Sequence, residues 1–507
     1  MPSCKKPECT CFDRAIEKCG GNPEKVKRYG LNFILGVQHV LAMMGSNVLV
    51  PLITGLSPSI AILSAGLCTI CFHFIAQRKV PTFLGSSFSF VTAMQQNQAK
   101  FTDKQGNVIS QEIKNKVIGG QQVAVIMTGV LYCIYSLIVY FVGPARVKKI
   151  FPPIVVGPVI MVIGLTLAPS VISSYIVGNY TPNEETGEQN MKTYAVWIIV
   201  VVTALIILGV ATLARGIWTS FPVLFGIIGG YIVSACFKVI DYSKITDAYW
   251  ILFEPNCLKE TFSFYKGLNW DWNSIAMICP ISIVTFMEHL GDITTNGAVV
   301  GKNFFEDPGL HFTLLGDGVA LFIAGLLGGP AITTYGENTG VLAITKNYNP
   351  KLILLAGIIA FCIGLLTKIG GVITSIPGPV IGGASMIMFG IIATMGMKVL
   401  IINQVNITKA KNMMIAALIV TIGLGFTAGG VNVNIEGISI SPLAICTIVG
   451  VLLNAILPDQ KDDDENSAEE KKESNELSSE IDNVDSRSEG QDDSVSESNN
   501  ENTESKL

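Results

Sequence analysis

Six ionisable side chains stand in stretches that are otherwise apolar. Glu288, His289 and Asp292 share the run TFMEHLGDITTNG, Asp317 lies in LLGDGVALF, Glu337 in TTYGENTGV, and His39 follows Gln38 in the first apolar stretch. A charge at mid-bilayer costs about 2.5–3.5 kcal/mol on insertion scales, so such groups normally face a cavity and have a task there. Glu288 and Asp292 are four residues apart and share one helix face. Two carboxylates so close in a low-dielectric site resist ionising together, which suits a pair that carries a proton. The competing structural roles are pairing with nearby donors for Glu288 and Glu337, packing for His39 and His289, and helix capping for Asp317. A metal cluster built from Glu288, His289 and Asp292 fails on geometry. His289 points about 100° away from the face of the other two, and the sequence has no second His-rich element.

Small polar residues surround these acids in sequence: Ser86, Ser87, Thr333, Thr334, Tyr335 and Asn338, with Phe88 and Tyr335 offering aromatic faces or edges. Half-helices that start after broken segments leave backbone N–H groups unpaired and ready to donate. Together with two carboxylate acceptors, this mixture fits a neutral planar ring with alternating N–H and C=O groups, of the nucleobase kind. Sugars need more hydroxyl partners, and simple anions need a fixed Arg or Lys.

The elements that must hold these residues are membrane spans. Half of the 507 residues are hydrophobic and 14% are charged, against about 25% charged in average proteins. From residue 459 onward there are 18 acidic and 5 basic residues, which leaves 29 basic and 21 acidic for the first 458. The acidic balance therefore belongs to the tail, and a body so poor in charge cannot present an ordinary soluble surface. Residues 459–507 lack the apolar content to offset ordering entropy and are read as a disordered acidic cytoplasmic tail. Residues 1–29 form a polar leader without a signal-peptide pattern. Its Cys4, Cys9, Cys11 and Cys19 fit no common zinc spacing.

A spanning helix needs roughly 20 mainly apolar residues. Fourteen candidate segments result, near 30–55, 58–77, 82–97, 120–143, 150–170, 193–213, 219–240, 273–297, 312–329, 331–345, 352–370, 375–396, 411–428 and 438–457. The third and tenth are too short and too rich in Gly, Ser and Thr for plain helices. Such breaks are tolerated at membrane depth only where protein encloses them or they line a cavity. Lys and Arg in the leader and in alternate short loops (Arg78–Lys79, Arg146, Arg215, Lys302, Lys346) place both termini in the cytoplasm. The basic loop near Lys100 runs against that rule. The sequon Asn179-Tyr180-Thr181 falls on the outer side.

An internal repeat is visible. Gln38-His39 and Glu288-His289 stand 250 positions apart, and Gly85-Ser86-Ser87-Phe88 corresponds to Thr334-Tyr335-Gly336-Glu337. Seven segments per half is odd, so the second half inserts upside down. Inverted repeats with broken segments in matching places point to the midplane site of a secondary transporter.

Four separated motifs, in order, resemble the nucleobase–ascorbate transporter family (nucleobase:cation symporter-2), and within it the proton-coupled uracil branch. They are Gln38-His39-Val40-Leu41-Ala42-Met43, the run from Pro81 to Phe88, Glu288-His289-Leu290-Gly291-Asp292, and the run from Thr333 to Gly340. The family signature reads here Glu337-Asn338-Thr339-Gly340, then Thr345-Lys346 after four residues. The resemblance covers residues 30–458.

It implies an all-α membrane protein of 14 segments in two inverted repeats, with short strands in segments 3 and 10. A core domain would comprise residues 30–145 and 270–372, and a gate domain residues 146–245 and 373–458. By motif match Glu288, Glu337, Phe88, Gly336, Tyr335 and Ser87 would bind substrate, while Asp292, Glu288, His39, Asp317 and Asn338 would serve proton coupling. The activity implied is import of uracil across the plasma membrane with H+ as coupling ion, by movement of core against gate. It needs no enzyme chemistry, metal or other cofactor, and no nucleic acid; lipid surrounds the chain, and a homodimer through the gate domain is compatible with it. One position departs from the pattern. Asp292 replaces the His that the best-known uracil carriers have, and Asp292 and Asp317 both resemble the purine branch. A xanthine or uric acid symporter is therefore the alternative, and an anion exchanger or channel a more distant one.

Overall fold

The computed structural model describes residues 23–98, 110–144, 146, 151–180, 191–429, 431, 433–435 and 438–458. The leader cysteines and the acidic tail lie outside the described residues. The helices are α1 Pro23–Thr54, α2 Pro58–Ile75, α3 Val91–Gln98, α4 Gln111–Val142, α5 Pro153–Val171, α6 Thr193–Leu213 and α7 Pro222–Cys236. They continue as α8 Ile281–Val300, α9 Leu310–Leu327, α10 Gly336–Thr345, α11 Pro350–Gly364, α12 Gly378–Ile402, α13 Ala410–Ala428 and α14 Pro442–Ile456. Strand β1 Leu84–Ser86 precedes α3 and strand β2 Ile332–Thr334 precedes α10.

Local sequence explains many of the boundaries. Proline opens α2, α5, α7, α11 and α14 in the first turn, where its missing N–H has no intrahelical partner to lose. Gly301 and Gly328 close α8 and α9 in the left-handed conformation, at φ 75° and 76°, which costs other residues more.

Among the described residues nine helices are long and apolar enough to cross a membrane, or ten if α11 and the short helix Thr367–Thr374, bent by 78°, count as one span. The fourteen stretches read from sequence also include α7 and α14, apolar but only 15 residues each, and two stretches built as strand plus short helix. Helix length and composition therefore support at most ten of the fourteen stretches as plain spans.

The most extensive helix contacts form two sets. In one, α4 lies on α9, α11 on α2 and α2 on α9. In the other, α5 lies on α12 and α13, α6 on α7 and α12, and α13 on α14. Glycines let backbones touch at the seams. A Cβ at Gly66 of α2 would come within 2.3 Å of the Phe361 amide nitrogen of α11, and one at Gly129 of α4 within 2.7 Å of the Gly318 carbonyl of α9. Lipid supplies no hydrophobic drive for helices to associate, so such close van der Waals seams carry much of the cohesion.

Candidate functional site

The two broken stretches meet. β1 and β2 pair antiparallel with Leu84 opposite Thr334, Gly85 opposite Thr333 and Ser86 opposite Ile332. Such short strands leave backbone polar groups over, and at membrane depth each must find a partner. Side chains from neighbouring helices supply them. Asn47 Oδ1 of α1 accepts from the Ser86 amide at 2.9 Å and from its hydroxyl at 2.6 Å. Thr69 Oγ1 of α2 accepts from the Leu84 amide at 3.0 Å, and Asn296 Nδ2 of α8 donates to the Pro81 carbonyl at 3.0 Å. The strand pair is thus clamped from three sides.

Beyond the strands the chain turns back into helix. Phe88–Phe90 form a 3-10 turn leading into α3, and α10 begins at Gly336 directly after Tyr335, which has extended backbone. A small cavity opens between these helix starts and α8. It is lined by Ser87, Phe88, Tyr335, Gly336 and Glu337 from the broken stretches and by Glu288 from α8. All six residues assigned to substrate contact by motif match therefore border one space. Three residues that sequence reasoning missed, Ile160 and Ile163 of α5 and Ile392 of α12, close another side with apolar surface. An isoleucine within an apolar helix carries no signal of this kind. Ser89 was also missed, although it directly follows the motif: its hydroxyl donates to Glu288 Oε2 at 2.9 Å.

Of the five residues assigned to proton coupling only Glu288 lines the cavity, beside Glu337 of the substrate set; Asp292, Asp317, His39 and Asn338 do not. Glu337 is exposed, while Glu288 and Asp292 are half-buried. Asp292 accepts from the Thr334 hydroxyl at 3.3 Å, and its Oδ1 would be 2.7 Å from any Cβ at position 336. Glycine at 336 is what lets α10 start so close to that carboxylate. Asp317 is fully buried on α9 and lies 2.8 Å from His289 Nδ1. Its place in mid-helix, flanked by Gly316 and Gly318, rules out helix capping. His39 lies apart on α1, where Asn338 Nδ2 donates to the His39 carbonyl at 3.3 Å. Neither His39 nor Asn338 borders the cavity. The described residues contain no group of three or more acids, His or Cys that could hold a metal. A larger recess of about 420 Å³, between Leu56, Lys114, Lys244 and Thr367, has none of these carboxylates on its walls.

Against known proteins, a family model described as Permease family (Xan_ur_permease) matches residues 31–431. The uracil permease of Bacillus caldolyticus is 38% identical over 439 residues, covering 86% of this chain and 94% of that protein. The uracil permease of Escherichia coli (strain K12) is 33% identical over 423 residues, 83% of this chain and 90% of the other. Among solved structures, the transmembrane domain of the cyanobacterium bicarbonate transporter BicA matches with a TM-score of 0.51 at 12% identity, over 84% of this chain and 96% of that one. SLC26A9 matches with a TM-score of 0.57 at 13% identity, over 85% and 65%. At those identities the likeness to the solved structures shows the fold alone.

Apolar helices packed around a small polar cavity, in a chain whose relatives are permeases, define a multi-pass membrane transporter and not an enzyme. The chain belongs to the Permease family matched over residues 31–431, the nucleobase–ascorbate transporters (nucleobase:cation symporter-2).

Proposed function

We propose that this protein imports uracil across the plasma membrane together with protons. The observation that carries the reading is the cavity on which Glu288 and Glu337 both open while three isoleucines close another side. Uracil is a planar ring with two N–H donors, two carbonyl oxygens and one apolar C5–C6 edge. The two carboxylates accept from its N–H groups, and charge-assisted bonds of that kind are about twice as strong as neutral ones. Backbone amides at the starts of the Phe88 turn and of α10 serve the carbonyl oxygens, and the C5–C6 edge rests against Ile160, Ile163 and Ile392. The names of the relatives, uracil permeases in two organisms, favour the same substrate.

The transport movement we propose is that of one domain against another. Segments 1–4 and 8–11 form the core and segments 5–7 and 12–14 the gate, as an inverted repeat. The helix contacts support this arrangement, because the most extensive of them fall within the two groups and survive exchange of the halves. Segment 4 on 9 becomes 11 on 2, segment 5 on 13 becomes 12 on 6, and segment 6 on 7 becomes 13 on 14. Core and gate meet at the cavity, where the Phe88 ring stands edge-on to Phe389 of α12, with centroids 5.7 Å apart. Rocking or sliding across that boundary would open the site to each side in turn. Both termini are cytoplasmic in this reading, and a homodimer would form through the gate.

A second reading, transport of xanthine or uric acid, draws on Asp292 and Asp317. Purified protein bound to labelled uracil separates the two when challenged with unlabelled xanthine and thymine. We expect unlabelled uracil to displace the label at least tenfold more effectively than xanthine does, because a fused second ring must displace the isoleucine wall. Equal or better displacement by xanthine would assign the protein to the second reading.

A further inference from the structure

We propose that Ser89 is a positioning residue for substrate binding, holding the Glu288 carboxylate in one rotamer from which it receives a ring N–H. The inference rests on the reading that Glu288 is a ligand of uracil. Ser89 is not among the residues that the family motifs assign. It lies in the 3-10 turn Phe88–Phe90, which packs on α8, and its hydroxyl donates to Glu288 Oε2 at 2.9 Å. Both residues line the cavity. Ser89 is 2% exposed and fixed by the turn, whereas Glu288 is half-buried.

Glu288 needs such a partner because of where it stands. In the interior of α8 the backbone N–H groups are committed to the helix, so a side chain from another element must hold its carboxylate. Glu337, in contrast, sits in the first turn of α10, where backbone N–H groups have no intrahelical partner. Among the described residues, no side chain other than Ser89 hydrogen-bonds Glu288. An untethered glutamate spreads over several rotamers, and apparent affinity falls in proportion to the competent fraction. The Ser89 bond occupies one carboxylate oxygen and leaves the other for a ligand. The two serines beside Phe88 thus differ in role. Ser87 Oγ borders the same cavity, buried and without a hydrogen-bond partner among the described residues, so it is free for a ligand's polar group. Ser89 Oγ is already engaged.

Equilibrium binding of labelled uracil to purified full-length protein tests this, read as Kd and as the number of sites. Ser89→Ala should raise Kd about five- to tenfold, as the freed carboxylate spreads over several rotamers, with the number of sites unchanged. In a Glu337→Gln background the same factor should appear again, because that carboxylate belongs to another helix. In a Glu288→Gln background it should shrink to about threefold or less, since a bond to a neutral amide is about half as strong. That difference separates positioning from the alternatives. A purely structural role, or direct contact of Ser89 with uracil, would give the same factor in both backgrounds and overturn the proposal. An unchanged Kd in Ser89→Ala would overturn it as well. Should the alanine variant not fold, Ser89→Cys, close in size but only a weak donor, is judged by the same criteria. Failure of Glu288→Gln by itself to weaken uracil binding would instead remove the reading of Glu288 as a ligand, and the inference falls with it.

Discussion

Glu337→Gln weakens uracil binding about ten- to a hundredfold. A carboxylate accepts from a ring N–H with charge assistance, whereas an amide presents a neutral oxygen at one end and a donor at the other. Loss of a hydrogen bond to a charged group typically costs about 1.5–3 kcal/mol, which corresponds to that range of affinity. The substitution is nearly isosteric, and Glu337 is itself exposed in the first turn of α10, so little packing is disturbed. Equilibrium binding of labelled uracil to purified protein provides the check. If the variant binds as tightly as wild type, Glu337 is not a ligand and the two-carboxylate pocket is wrong.

Asp292→Asn separates binding from coupling. The amide oxygen can still accept from Thr334 and still fits beside Gly336, so the cavity keeps its shape. What the variant cannot do is gain and lose a proton. Asp292 lies one helical turn from Glu288, and two carboxylates so close in a low-dielectric site tend to hold a single proton between them. The expected result is uracil exchange across the membrane that persists while accumulation driven by a proton gradient disappears. Normal accumulation in Asp292→Asn, together with loss of coupling in His39→Asn, would assign the proton elsewhere. His39 stands on α1 with Asn338 Nδ2 at 3.3 Å from its carbonyl and 3.5 Å from its ring Nδ1, whereas Asp292 lies one turn from Glu288, which lines the cavity; the carboxylate pair is therefore the stronger candidate.

Much of the site was legible in the sequence because charge inside an apolar run is costly and therefore conspicuous. Glu288, Asp292, Asp317 and Glu337 could be singled out on that ground alone, and the Gly- and Ser-rich breaks marked where helices had to stop. That the two breaks form short strands was implied only by the family resemblance; the breaks alone said no more than that protein encloses them or that they line a cavity, and the structure pairs β1 with β2. Contributors that were not legible are of two kinds. Ile160, Ile163 and Ile392 look like any lipid-facing or packing residue until the helices are placed. Asn47, Thr69 and Thr313 are single polar residues in helices, whose partners lie across the fold and not along the chain. Asp317 was read both as a helix cap and as a coupling group, and only its position in mid-helix beside His289 removes the first. Counting spans was limited by geometry. A 15-residue helix or a strand with a half-helix falls short of the roughly 20 residues that a plain span requires.

Reconstituted protein with an imposed inward proton gradient tests the central claim most directly, through the steady-state ratio of internal to external labelled uracil. One proton entering down a potential of 100 mV supplies about 2.3 kcal/mol, enough for some fortyfold accumulation of a neutral base. The account predicts accumulation toward that ratio, collapse of the ratio when a protonophore is added, and no requirement for sodium. Uptake that needs sodium and ignores the proton gradient, or that only equilibrates uracil across the membrane, would contradict it.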